Sequence, residues 1–302
     1  MKNIFLRTLE TTLKKVSIIF CILTSVIVGS IVISTGRGGM GVMAYQQLLE
    51  QNLMMQHVLV FFVIDGFVLM ATTISNATGL IASEVHEGTF KLLAAKPNLR
   101  TQILAGKVLG VIAGQIILLA ISLFSYFSTI VIVKAIDGNV IREMVSYFPA
   151  YFLYGLVVIL FFTAVSTLLS CVFKRKITAM LPLLAVVMIA LAFFPIQRVM
   201  TSLTGKAPSA VMSLIDINYH FSLIFKSFVE MVDTIKPNRI MANLMNLFSV
   251  QKLDADVTRS QWGSDILLAN KTLSAFPIIL FYGAVAAASY VSSFAIIKKK
   301  DI

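Results

Sequence analysis

Asp65 is the one carboxylate in the middle of any long apolar stretch of this 302-residue chain. In hydrocarbon a lone carboxylate costs on the order of 3 kcal/mol by insertion scales, so it needs a partner or water. Thr72, Asn76, Gly79 and Ser83 follow it at spacings of seven, four, three and four. On an α-helix those positions form one stripe, running from Asp65 to a polar stretch at 82–107. Such a stripe suits the lining of a substrate path or a dimer interface. It also suits a packed polar seam, because interhelical hydrogen bonds averaging about 0.6 kcal/mol are common packing devices. Other chemistry finds little support. Cys21 and Cys171 lie far apart in apolar stretches, and His57, His86 and His220 are scattered with no pair at ligand spacing. Neither a disulfide framework nor a metal site follows from them. Gly106-Lys107 is followed by Val108, and Gly205-Lys206 by Ala207, so neither completes a Gly-x-x-x-x-Gly-Lys-Ser/Thr loop that cradles phosphate. No residue is set up for covalent catalysis, and the chain is expected to be neither an enzyme nor the holder of a cofactor.

The elements that carry these residues are set by composition. The chain is 58% hydrophobic and only 13% charged, with a mean hydropathy of +0.90, which excludes an ordinary soluble globule. Six stretches are long enough to cross about 30 Å of hydrocarbon: about 16–35, 57–81, 108–133, 147–173, 177–196 and 275–297. An even number places both termini on one side. Lys and Arg number four before the first span, four in 82–107, three at 174–176 and three at 298–300. The two short opposite loops, 36–56 and 134–146, hold only Arg37, Lys134 and Arg142. Fourteen against three places both termini in the cytoplasm of a multi-pass plasma-membrane protein. The formal charge of +11 is explained by this placement and does not point to nucleic acid.

Residues 1–15 put Leu6, Leu9, Leu13 and then Val16 on one face, with charged residues elsewhere, as in a helix lying at the membrane interface. A signal peptide also begins with a basic segment and an apolar run, but this run is long and lacks a small-x-small cleavage site. Tyr147, Tyr151 and Tyr154, with Phe148 and Phe152, read as an aromatic belt at the outer interface. Gly106, Gly110 and Gly114 allow another helix close to the start of the third span. Pro182, Pro195 and Pro277 should kink the last two spans, and Ala284, Ala287, Ala288 and Ser292 suggest tight packing of the sixth. Between spans five and six, the outer segment 197–274 contains a helical pattern from Ser209 onward. Asp216, His220, Lys226, Glu230 and Asp233 make it too polar to span. It is expected to lie at, or dip into, the outer membrane face and to end at Pro237, with a second short helix, "RIMANLMNLFSV", after it.

The polar stretch at 82–107 has an order of its own. Glu84 and Glu87 close the second span, Gly88 permits a sharp change of direction, and Thr89 can cap a short helix with Phe90, Leu93 and Ala94 on its apolar face. Pro97 ends that helix, and Asn98 can cap the next, which carries Arg100 and Lys107 into the third span. The run Glu84-Val85-His86-Glu87-Gly88-Thr89, then Leu92-Leu93, Pro97, Arg100, Ile103 and Gly106-Lys107, resembles the signature of ABC exporter permeases of the type-2 (ABC-2) family. The N-terminal helix, the six spans, the long outer segment and the terminal "KKKDI" resemble the family layout as well. The outer segment is longer than a pair of short gate helices needs.

The resemblance implies an all-α polytopic membrane protein. Residues 1–302 would form a single transmembrane domain with six transmembrane helices, a cytoplasmic coupling helix and an extracytoplasmic helical segment. Glu84, Glu87, Gly88, Thr89, Phe90, Leu93, Pro97 and Arg100 would take part in coupling, and Asp65, Thr72 and Asn76 would line the translocation path or an interface. It further implies two copies of an ABC ATPase as partners, which would supply ATP and Mg, together with membrane lipid and a second permease copy or a paralogous permease. Few fixed charges in the spans favour a hydrophobic or amphipathic cargo, such as a drug or antimicrobial peptide. Two other classes are an ion-coupled secondary transporter using Asp65 and a membrane sensor or immunity protein acting through its outer segment.

Overall fold

The computed structural model describes residues 2–37, 45–89, 97–133, 137–203, 214–232 and 274–299. Among them all regular structure is helical: α1 (Lys2–Thr12), α2 (Lys15–Arg37), α3 (Tyr45–Leu59), the π-helical segment π1 (Val60–Val68), α4 (Leu69–His86), α5 (Pro97–Val133), α6 (Gly138–Ser146), α7 (Phe148–Val172), α8 (Lys176–Met188), π2 (Ile189–Phe193), α9 (Phe194–Leu203), α10 (Ile217–Val229) and α11 (Ala275–Lys299). Six stretches are long and apolar enough to cross a membrane: Lys15–Ser34, Gln51–His86, Arg100–Val133, Gly138–Val172, Lys176–Gln197 and Ala275–Lys299. These are the six expected spans. Spans two, three and four run about ten residues longer than hydropathy alone suggests, because the helix continues into polar sequence at one end or both. A helix satisfies its own backbone wherever it goes, so the end of the oil does not end the helix.

Span three is the post of the bundle. In lipid, helices associate through close packing, not through the hydrophobic effect, and glycines let backbones approach. Three elements use glycine contacts against this span or within it. A Cβ on Gly29 of span one would stand 3.0 Å from Thr129 Cβ, and one on Gly155 of span four would stand 2.6 Å from Leu119 Cδ2. On span three itself, a Cβ at Gly110 would stand 2.8 Å from Thr8 Cβ, and one at Gly114 only 2.5 Å from Thr12 Cγ2. The partner of the glycine motif is therefore α1, inside the same chain.

This contact corrects the reading of α1. Its buried side is Thr8 and Thr12, while Leu6 remains 42% exposed. Each threonine hydroxyl donates to its own helix, Thr8 Oγ1 to the Ile4 carbonyl and Thr12 Oγ1 to the Thr8 carbonyl, both at 2.9 Å. With its hydroxyl satisfied locally, each side chain can offer its carbon atoms to the glycines. Leu6 is left to whatever surrounds the bundle, while Leu13 packs against the core around Cys21, Val68 and Leu118.

Two other expectations change. Tyr147, Tyr151 and Tyr154 are fully buried in the core, not arrayed as an interfacial belt, while Phe148 and Phe152 are half-buried. Their spacing of four and three puts the tyrosines on one face, and that face turns inward. The segment expected to lie at, or dip into, the outer membrane face is also packed into the helical bundle. Phe221, Leu223, Ile224, Phe225 and Val229 of α10 are buried, and the helix packs against α7 and α11. Its polar residues are settled locally: Asp216 caps the helix by accepting from the Tyr219 amide at 2.9 Å, and Lys226 pairs with Glu230 at 3.4 Å. Pro237 and the second short helix lie outside the described residues. Ala284, Ala287, Ala288 and Ser292 are exposed, so no close helix contact among the described residues uses them.

Gly114→Leu should detach α1 from span three and lower stability by about 1–3 kcal/mol, the usual range for overpacking. Gly283, which has no neighbour within 4 Å, serves as the control. A thermal melt of detergent-purified protein should show Gly114→Leu melting well below wild type and Gly283→Ala unchanged.

Candidate functional site

At the end of span two the helix stops by a defined reversal. Glu87 is the C-cap residue, Gly88 takes φ +73°, and its amide donates to the Val85 carbonyl at 3.3 Å. A left-handed residue after the cap is a common helix terminator, and glycine adopts it without Cβ strain. Among the described residues nothing stands within 4 Å of where a Cβ on Gly88 would lie, so the requirement visible there is one of conformation. Thr89 Oγ1 donates back to the Glu84 carbonyl at 3.4 Å and thus closes the helix it follows. His86, Glu87, Gly88 and Thr89 are all exposed at this end. Phe90 and Leu93, expected on the apolar face of the insert, lie outside the described residues. The next helix begins at Pro97, ahead of the expected cap Asn98, in keeping with the preference of proline for a first helical turn. Arg100 sits three residues inside it and is half-buried.

Both ends of the insert are tied to one another. Lys107 Nζ of span three donates to the Leu80 carbonyl at 2.7 Å and forms an ion pair with the Glu84 carboxylate. From the other side, Ser170 Oγ of span four accepts from the Ile81 and Ala82 amides at 2.9 and 3.0 Å. Spans two, three and four are thereby pinned where the insert starts. Beside these ties lies a cavity of about 410 Å³ between α1, span two, the start of span three and Lys176. Asn76, Gly79 and Ser83, three members of the expected stripe, line it.

The other members of the stripe part from it. Thr72 Oγ1 donates to the Val68 carbonyl at 2.8 Å and lies 3.3 Å from Gln115 Oε1 of span three. Asp65 is fully buried, and among the described residues neither of its carboxylate oxygens has a hydrogen-bond partner. The cause is π1. A π turn takes more residues than an α turn, so the α-helical spacing from Asp65 to Thr72 no longer preserves a face. Gly66 is bound up with this geometry, since a Cβ there would stand 2.5 Å from the Phe61 carbonyl oxygen five residues earlier. The same position faces Leu191 of π2, 3.4 Å away, so the two π segments meet. Pro195, two residues beyond π2, has no amide to donate and crowds the carbonyl four residues back, which accounts for the widened turn before it.

Above π1, the half of span two farther from the insert joins a buried network. Gln56 Nε2 donates to the Met144 carbonyl at 2.9 Å and to Tyr151 Oη at 2.8 Å, and Tyr151 Oη lies 2.7 Å from His57 Nδ1. Phe225 of α10 stacks on Tyr151 with centroids 5.7 Å apart and also meets Phe61 and Tyr154. His220 Nδ1 lies 3.1 Å from Tyr282 Oη of span six. These aromatic contacts close the end of the bundle remote from the insert. Sequence reasoning missed Gln56, His57 and Lys107 as members of a site. The one-face spacing of Tyr147, Tyr151 and Tyr154 was the signal for the first two, and a lysine facing a helix end that carries Glu84 was the signal for the third.

A helical bundle with six membrane-length spans, an exposed polar reversal at one end and an inserted aromatic helix at the other defines a multi-pass membrane protein. The family described as ABC-2 family transporter protein matches residues 15–302, and the chain belongs to that family. No curated protein matches the chain in a sequence search.

The Lys107–Glu84 pair yields a measurable coupling. Glu84→Gln leaves the mostly buried Lys107 ammonium without its counter-charge and should cost roughly 1–3 kcal/mol, less than a fully enclosed pair because the Glu84 side chain stays 25% exposed. Adding Lys107→Met should restore much of that loss. A double-mutant cycle on thermal or denaturant unfolding, showing strong non-additivity, checks it.

Proposed function

We propose that residues 1–302 form one transmembrane domain, the permease subunit of an ATP-binding-cassette exporter, with both termini in the cytoplasm. Two copies, or this chain with a paralogous permease, form the path between them. Two cytoplasmic ATPase subunits, holding ATP and Mg, dock on the insert. Glu84, Glu87, Gly88, Thr89, Phe90, Leu93, Pro97 and Arg100 are the coupling residues. The observation that carries this reading is the end of span two: an exposed Glu87-Gly88-Thr89 reversal directly beside the Lys107 tie between spans two and three. A load on that reversal passes into both spans at once. Closure of the ATPases tilts them and moves cargo past α10. The scarcity of fixed charge in the spans favours a hydrophobic or amphipathic cargo, such as a drug or antimicrobial peptide.

Asp65 supports a second reading, because a buried carboxylate without a hydrogen-bond partner is the kind of group an ion-coupled transporter uses. The two readings separate by mutation in proteoliposomes holding the chain with its ATPase. Under the exporter reading, Glu87→Lys or Gly88→Pro abolishes transport-coupled ATP hydrolysis while membrane insertion survives. Proline cannot take the positive φ of Gly88. Asp65→Asn keeps ATP-driven export. Coupling unchanged by both insert substitutions, with transport that stops in Asp65→Asn and follows an ion gradient, would establish the ion-coupled reading instead.

A further inference from the structure

The cavity beside the insert carries more positive charge than its own acids balance. Arg7, Lys14, Lys107 and Lys176 line it, against Glu84 and Glu87. Lys107 and Glu84 are paired with one another. That leaves three cations and one carboxylate facing a space of about 410 Å³. Among the described residues Arg7, Lys14 and Lys176 have no ion pair, and Lys176 Nζ reaches only the neutral Ser75 Oγ, at 3.3 Å. Lys14 comes from the junction of α1 and α2 and Lys176 from the first turn of α8, yet the two lie within electrostatic reach of each other. Like charges gathered from separate elements around one cavity repel, and an anion between them turns each repulsion into an attraction.

The surroundings narrow the class of anion. Asn76 supplies an amide group to the same wall, the hydroxyls of Thr8, Thr11 and Thr12 there already donate to carbonyls of α1, and Ile4 and Val111 make part of it apolar. Leu6 on α1, which lines the cavity through other residues, and Val16 and Ile19 on α2, which follows Lys14 in the chain, are exposed apolar side chains. Cations and an amide within a cavity, with exposed aliphatic side chains on α1 and on the helix that follows it, match an amphiphile with an anionic head. We propose that this cavity binds the phosphate headgroup of an anionic membrane lipid through Arg7, Lys14 and Lys176, with the acyl chains running along the exposed faces of α1 and α2. The headgroup then bridges α1, span two and span five beside the insert. This goes beyond the exporter reading and shares with it only the placement of this end at the cytoplasmic leaflet.

The test uses the purified full chain in micelles, with bound lipid counted by native mass spectrometry during titration with phosphatidylglycerol or phosphatidylcholine. Wild type should retain phosphatidylglycerol at least about tenfold better, since each lysine or arginine near an anionic surface contributes roughly a factor of five. K14Q/K176Q should lose that preference. K2Q/K15Q removes the same charge from residues outside the cavity and should keep it. Arg7→Gln repeats the measurement in a background that preserves the Lys176–Ser75 bond, and melting curves confirm that each variant is folded. Undiminished preference in both K14Q/K176Q and Arg7→Gln, or equal loss in K2Q/K15Q, overturns the site. Displacement of the lipid by millimolar inorganic phosphate overturns the lipid as its occupant and assigns the cavity to a soluble anion. Absence of the lipid preference in the wild-type chain, with ATP coupling intact, would sink this inference and leave the exporter reading standing.

Discussion

A single ammonium group, that of Lys107, decides where the bundle ends and the insert begins. It is almost entirely removed from solvent, so it needs both a counter-charge and hydrogen-bond acceptors. Glu84 gives the first and the Leu80 carbonyl the second, both from the last turns of span two. Because Lys107 belongs to span three, satisfying it joins the two spans that flank the insert. The reversal at Gly88 begins immediately after this joint, and the Ser170 bonds to Ile81 and Ala82 hold span four to it. A force applied to residues 87–89 therefore meets three helices tied at one level.

Above that joint the spans differ in character. Span three is held by close contacts at Gly29, Gly110, Gly114 and Gly155, positions where even one added carbon would collide with a neighbour. Span two contains π1 instead, with Asp65 and Gly66 in a stretch whose hydrogen-bond register is already altered. It meets π2 across the Gly66–Leu191 contact and, further up, reaches α10 through His57, Phe61 and Phe225. Widened turns are frequent where helices change shape in function. The arrangement is that of a fixed post beside an adjustable lever, with the lever connecting the insert to the aromatic closure at the opposite end.

Much of this was legible in the sequence, for reasons that can be named. Span positions follow from length and hydropathy, because hydrocarbon thickness is a strict ruler. The close helix approach at Gly110 and Gly114 was legible as well, since glycine at that spacing has few other uses in a span. Its partner was not, because Thr8 and Thr12 read as polar residues until their hydroxyls are seen bonded within α1. The side chains around Asp65 follow ordinary α-helical spacing, whereas π1 is a matter of backbone register that this spacing does not reveal, and the expected stripe failed there for that reason. The packing of α10 into the bundle was not legible because its charges were counted as solvated, when Asp216 is spent on a cap and Lys226 and Glu230 on each other. The change of direction at Gly88 was anticipated, since a positive φ is something only a few residue types accept, whereas Thr89, expected to cap a following helix, bonds back to the Glu84 carbonyl.

The lever is tested most directly by a distance measured across it. Spin labels at Phe67, exposed on span two within π1, and at Met231, exposed just beyond α10, can be placed in a C21A/C171A background, with the chain assembled with the ATPase proposed as its partner. The lever arrangement predicts that trapping the ATPases in their ATP-closed state shifts the distance distribution, and that Gly88→Pro abolishes the shift while the resting distribution is preserved. A distribution that stays the same through ATP binding and hydrolysis, in a complex that still transports, would contradict it.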